Sequence, residues 1–190
     1  MFKFVQSAIV ALVFTGSAQA QDTVMWRDNV NGWAVAIDRT IGDSCFMIAQ
    51  FEDEVLLRFQ VNATTHDLQF IIANIEWSTL QTGKGYDLEL AFGNLDPWQG
   101  VAQGHRWNDI LPSLVLSVPF SDSQAATFLE DFTENASLRV SQEGIQIAKL
   151  ALSGTDEAVA EMLDCQKSMA KASDPGERVI EDGGKTSAPI

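Results

Sequence analysis

Cysteine, histidine and positive charge are all scarce in this chain: two cysteines (Cys45 and Cys165), two histidines (His66 and His105), and twelve basic residues against 26 acidic ones. Each shortage excludes something. Two cysteines without Cys-x-x-Cys spacing or clustered histidines make neither a zinc site nor a dithiol redox centre. His66 has Asp67 beside it but no ligand-like spacing to His105, and His105 with Asp96 and Asp109 is the one set that could converge on an ion, so no metal is expected. A formal net charge of −14 repels phosphate backbones and anionic lipid, which sets nucleic acid aside as a partner. No Gly-x-Ser-x-Gly segment supports a hydrolase triad, and Gly83-Lys84-Gly85-Tyr86 is shorter than a phosphate-binding loop. Among 26 acidic residues, pairs of carboxylates say nothing about glycoside chemistry. No catalytic residue and no cofactor are expected.

Long apolar runs are scarce too. Phe4 to Phe14 is the longest, about eleven residues against the roughly 20 that a membrane-spanning helix needs, so no membrane span is expected. Lys3 precedes this run and Ser17-Ala18-Gln19-Ala20 follows with the small-x-small ending that a signal peptidase cuts. The pattern predicts a leader over residues 1–20, a mature chain from Gln21, and a periplasmic or secreted location. No cysteine stands at the cleavage site to carry a lipid anchor. In an exported chain two cysteines tend to pair, so Cys45 and Cys165 are expected to form a disulfide, with free buried thiols as the alternative.

What is abundant is period two. Trp33, Val35 and Ile37 follow the Asn31-Gly32 turn signal, and Val55, Leu57, Phe59 and Val61 alternate with Leu56, Arg58 and Gln60 beyond the acidic turn Glu52-Asp53-Glu54. Cys45 to Phe51, Leu68 to Trp77, Tyr86 to Phe92, Leu114 to Phe120 and a late hairpin from Leu138 to Leu152 read as further strands. Ser121 with Gln124 resembles a capping box opening a helix with Phe128 and Phe132 on its apolar face, and a second helix begins near Thr155 with Ala158, Val159, Met162 and Cys165 inward. The expected fold is mainly β: an antiparallel sandwich or open barrel of about eight strands with two short helices, the last near the C-terminus. One domain spans residues 21–169, and the polar, aperiodic residues 170–190 read as a disordered tail.

Several short segments occur in a telling order: Gly32-Trp33-Ala34-Val35, Cys45-Phe46-Met47-Ile48-Ala49-Gln50, Phe128-Leu129 before a hairpin, and Leu150-Ala151-Leu152-Ser153-Gly154 with Ala158 and Leu163. Together they resemble the bacterial invasion-associated locus B family over about residues 30–165. The resemblance implies an exported, mostly β envelope protein of a Gram-negative bacterium, with a part in host interaction proposed for some members and no catalytic residues to transfer. Two positions depart from the family pattern. Asp38 stands where the family often has a cysteine, and Thr155 stands where a Phe follows the last glycine.

The densest cluster of chemistry-bearing residues is Asn94 to Asp109, where Asp96, Trp98, His105, Arg106, Trp107 and Asp109 fall among turn formers on an expected loop or edge hairpin. Tryptophan faces bordered by Asp and Asn suit sugar rings. Trp98 and Trp107 could equally cap the end of the core, whereas Trp33 and Trp77 sit in apolar strands. The expected function is therefore an exported, non-catalytic interaction module for an envelope or host protein. A glycan or small-ligand site at Trp98 and Trp107 is the alternative, and a cell-wall hydrolase a third.

Overall fold

A computed structural model describes residues 22–107, 109–120 and 123–173. The expected leader, and the expected tail from residue 174 on, lie outside the described residues. Among these residues ten strands form in order: β1 (Thr23–Val30), β2 (Trp33–Asp38), β3 (Ser44–Gln50), β4 (Val55–Asn62), β5 (Asp67–Asn74), β6 (Gly85–Phe92), β7 (Trp98–Trp107), β8 (Leu111–Pro119), β9 (Ser137–Gln142) and β10 (Ile145–Ala151). Two helices join them, α1 (Gln124–Glu134) between β8 and β9 and α2 (Thr155–Ser173) after β10. The strands make one unclosed antiparallel sheet of order β1-β2-β3-β4-β5-β8-β7-β6-β9-β10. The count is thus ten rather than about eight. α2 is also longer than expected and runs past residue 169.

Tight turns set the consecutive pairings. Asn31 and Gly32 (φ 50° and 94°) join β1 to β2, and Glu143 and Gly144 (φ 51° and 78°) join β9 to β10; both pairs lie in the left-handed region that two-residue hairpins require. The chain then departs from a simple meander. After β5 it skips two positions, so that β6, β7 and β8 run back and β8 pairs with β5; α1 then carries the chain over to β9 beside β6. The capping-box residue Ser121 lies outside the described residues. The N-cap of α1 is Ser123, whose side chain makes no capping hydrogen bond.

One face of the sheet, here the inner face, packs against both helices. It presents Trp33 and Val35 of β2, Leu57 and Phe59 of β4, Phe70 and Ile72 of β5, and Leu90 and Phe92 of β6, all essentially inaccessible. Phe128 of α1 is the hub. Its ring stacks on Phe59 at 6.2 Å and meets Phe92 and Trp98 edge-on at 5.5 and 5.4 Å. Such pairs add about 0.5–1.5 kcal/mol each to the area they bury. α2 lies on β1, β2 and β3 and is fastened there by the Cys45–Cys165 disulfide, whose Cα atoms are 6.1 Å apart. Beside it the Gln166 side chain accepts the Cys45 backbone N–H at 2.8 Å.

The segments that carry the family resemblance meet in space although they are far apart in sequence. The Trp33 indole donates to the Ser153 carbonyl at 3.2 Å, and Gly154 (φ 77°) lies so close to Asn31 that an added Cβ would stand 2.4 Å from the Asn31 Cβ. The departure at Thr155 has its own logic. This residue is buried, and its hydroxyl donates to the carbonyls of Phe132 and Leu152, tying the start of α2 to the end of α1.

Candidate functional site

Alternation along β4 sends Leu57 and Phe59 inward, so Arg58 and Gln60 emerge on the other, outer face. Cross-strand registers place Ile48 of β3 and Ile71 of β5 beside Arg58, and Phe46 and Gln69 beside Gln60. A solvated sheet face would leave these side chains exposed. Here Arg58 is 4% and Gln60 3% accessible.

The burial is made tolerable by a continuous polar chain. Arg58 Nη2 donates to Asp38 Oδ2 at 2.6 Å, and its Nε donates to Gln60 Oε1. Gln60 passes a hydrogen bond to Gln69, and Gln69 one to Asp67. At the other end, the Thr40 hydroxyl and backbone N–H both donate to Asp38 Oδ1. Rings close the guanidinium from two sides: its carbon lies 3.8 Å from the Phe46 centroid and 4.8 Å from that of Trp107. Trp107 belongs to β7, with β8 and β5 between it and β4. Three strand spacings amount to about 14 Å, a gap that only two long side chains reaching toward each other can bridge.

These contacts set the charge states. Burial pushes the Asp38 carboxyl up, but its bonds from Thr40 and from Arg58, with the charge of Arg58, outweigh that, and it sits below the ordinary carboxylate value. Burial likewise pulls Arg58 down and Asp38 partly restores it, so the guanidinium remains charged. The site is an ion pair of zero net charge, clamped between aromatic faces.

Two adjoining clefts open beside it. One, of about 320 Å³, is lined by Arg58, Trp107, Gln69, His105 and Ser113; the other, of about 400 Å³, by Arg58, Trp107, Phe46, Ala36 and Asp22. Asp38 and Thr40 border both. Of the five N–H bonds of a guanidinium, the one on Nε and one of the two on Nη2 have the partners named above, while no hydrogen bond among the described residues occupies Nη1. Because no buried polar side-chain atom in this set lacks a partner, Nη1 faces accessible space.

The residues expected to form one site do not sit together. Trp98 and Trp107 are at opposite ends of β7, about 30 Å apart at the usual rise of an extended strand, and alternation places them on opposite faces. β7 is an interior strand between β6 and β8, not a loop or edge hairpin. Trp98 points inward, where its indole donates to Asp131 of α1 at 2.7 Å and its ring meets Phe128, so it caps the core. Asp96 is exposed in the turn before it and shares a shallow opening with Trp98 and Asp131. His105 and Trp107 face outward, Trp107 lining both clefts and His105 the first; Arg106 between them is half-buried, and Asp109 is exposed at the β7–β8 turn with φ 62°. Trp77 lies beyond the end of β5, half-buried against the core.

Asp38, Arg58, Gln60, Gln69 and Phe46 are the members that sequence reasoning missed. One signal was available: Phe46 and Ile48 are apolar on the same strand face that should have been wet, which implies something covers them.

No family model matches the sequence, and no curated protein sequence matches it. Comparison with solved structures decides the fold. The chain is similar to invasion associated protein B of Bartonella henselae. The alignment has a TM-score of 0.52 at 12% identity and spans 73% of this chain and 96% of the Bartonella one. At that identity the likeness is one of fold, and it agrees with the resemblance carried by the Gly-Trp and Leu-Ser-Gly segments.

Proposed function

We propose that this chain is an exported envelope protein that acts by binding rather than by catalysis, with the outer-face clefts at Arg58 and Trp107 as its binding seat. The observation that carries the reading is a buried ion pair on the side of the sheet turned away from both helices, clamped by rings and left with an accessible donor. Burying such a pair costs several kcal/mol per ion before its partners offset it, and a hydrophobic pair of the same volume would serve stability as well. A recognition site gives it a purpose that packing does not.

Export is supported by the leader-like first twenty residues and by the Cys45–Cys165 disulfide, and no described helix is long and apolar enough to cross a membrane. The fold likeness to an invasion associated protein favours an envelope or host macromolecule as the partner. The test is affinity capture of the tagged mature protein from its native envelope with thiols blocked, run beside Trp107→Ala and Trp98→Phe. A partner kept by the wild type and Trp98→Phe but lost by Trp107→Ala is the expected result. Identical captures by all three would remove the seat from the outer face. Turnover of purified peptidoglycan that disappears on His105→Ala or Asp109→Ala would instead make the chain a hydrolase.

A further inference from the structure

We infer that the clefts beside Arg58 and Trp107 take a neutral saccharide, a sugar ring lying against the Trp107 indole and its hydroxyls meeting the polar rim. This rests on the outer-face seat proposed above and names its ligand class. Charge is the first argument. Among the described residues Arg58 is the one arginine or lysine lining either cleft, and Asp38 already neutralises it at 2.6 Å; Asp22 adds a further negative charge at the second cleft, and the whole chain stands at −14. An anionic ligand would enter against that field with no net positive charge to meet it. A cationic ligand fares little better, because the guanidinium already occupies the space between the Phe46 and Trp107 rings.

Hydrogen-bonding capacity is the second argument. The rim mixes donors with acceptors: Nη1 of Arg58, the Gln69 amide, His105, and the Thr40 hydroxyl, whose hydrogen is held by Asp38 and whose oxygen is left to accept. Hydroxyls, which donate and accept at once, match such a rim better than a carboxylate or an ammonium. Trp107 is the third. Its ring is half-buried and borders both clefts, and the part of the indole that the Arg58 guanidinium leaves uncovered attracts the polarised C–H bonds of a pyranose. Clefts of about 320 and 400 Å³ fall within the range in which small-ligand sites are commonly found.

The probes are the neutral tetramers of N-acetylglucosamine and of glucose, with tetragalacturonate as the anionic match, titrated into the disulfide-intact protein while the tryptophan indole N–H resonances are followed by NMR. At least one neutral tetramer should shift Trp107 and not Trp98, with an affinity that changes less than about twofold between about 0.05 and 0.5 M salt. Trp107→Ala should weaken that binding about tenfold, as loss of one stacking face does, while Trp107→Phe retains most of it. The Phe variant keeps a ring against Arg58 and covers the case in which Trp107→Ala fails to fold.

Tighter, salt-sensitive binding of tetragalacturonate would overturn the inference, as would the absence of any neutral binding at about 10 mM, the weak end of measurable affinity. If neutral sugars fail while Trp107→Ala still loses a captured partner, the ligand class falls and the seat stands. If sugars bind but shift Trp98 and survive Trp107→Ala, the outer-face seat falls with the inference.

Discussion

Replacing Arg58 by Met would leave the Asp38 carboxylate buried with Thr40 as its remaining partner. Breaking a buried pair from one side costs about 3–5 kcal/mol, most of it from the orphaned charge. Asp38→Asn removes that charge yet leaves an oxygen for Thr40, so the double variant should lose less than the two single losses added together. Urea denaturation of the four proteins measures the coupling. The same carboxyl predicts a pH effect. Its pKa in the folded protein lies below the unfolded value of about 3.9, so between the two the unfolded chain binds more protons. Its contribution to stability is complete above about pH 4 and is lost as the pH falls through the lower, folded value. Asp38→Asn should flatten the acid limb of the stability curve there; an unchanged limb would mean that other carboxylates dominate it. Little of this was visible in the sequence. Asp38 stood out as a missing cysteine, while Arg58 and Gln60 looked like the wet face of a hairpin. Part of the cover over Arg58 is Trp107, 49 positions away, and local alternation carries no information about what a distant strand lays over it.

Among the elements, β7 shows where a period-two reading fails. Beyond Trp98 its next inward positions are Gly100, Ala102 and Gly104, too small to register as an apolar face, and the turn formers ahead of it made the whole stretch look like a loop. The small residues have a physical cause. The strap between β5 and β6 crosses β7 here, with Gly83 N–H donating to the Gly104 carbonyl and Gly104 N–H to that of Lys84, both at 2.8 Å. A Cβ on Gly104 would lie 2.3 Å from the Gln81 carbonyl oxygen, whereas one on Gly100 would meet the end of the Leu116 side chain at 2.7 Å. Backbone cannot step aside as a leucine rotamer can. Gly104→Ala should therefore destabilise by about 1–3 kcal/mol or more, and Gly100→Ala by clearly less, in thermal or urea unfolding. The strands with large inward residues, β2, β4 and β6 among them, were legible because each states its own face. The disulfide was legible from compartment and count, and its mechanical role follows from where it attaches. It closes a separation of 120 residues, worth about 5 kcal/mol in the chain-entropy account. Because Cys165 lies on α2 and Cys45 on β3, Cys165→Ser should raise hydrogen exchange in α2 before the rest of the sheet responds. Uniform acceleration would show that α2 and the sheet open as one unit.

For the molecule as a whole, an unclosed sheet has two edges, β1 and β10, and unpaired edges invite other chains to pair. The order that creates them could not be read from the sequence, since pairing β8 with β5 and β9 with β6 rests on contacts across the crossover. How they are protected can be read once the order is known. β1 has register shifts around Arg27 and carries Arg27 and Asp28 along its length, and its Trp26 and Arg27 side chains reach Glu161 of α2, which braces this edge. β10 is less guarded. It has one register shift, between Gln146 and Ala148, and its Ile145 is 69% exposed. Lys149, exposed two residues past Ile147, is the single charge on that strand. Lysine on an edge resists pairing because a second copy would have to bury the charge or bring two ammonium groups together. Lys149→Val would raise β propensity at the same position and leave the edge uncharged from Ile145 to Ala151. It should leave the stability of the monomer within about 0.5 kcal/mol, as surface changes usually do, while shifting sedimentation and light scattering toward dimers and larger species as concentration rises. The charge of −14 opposes that association at long range, so the shift should grow with added salt. A variant that stays monomeric at high salt would show that the register shift beside Ala148 alone protects this edge.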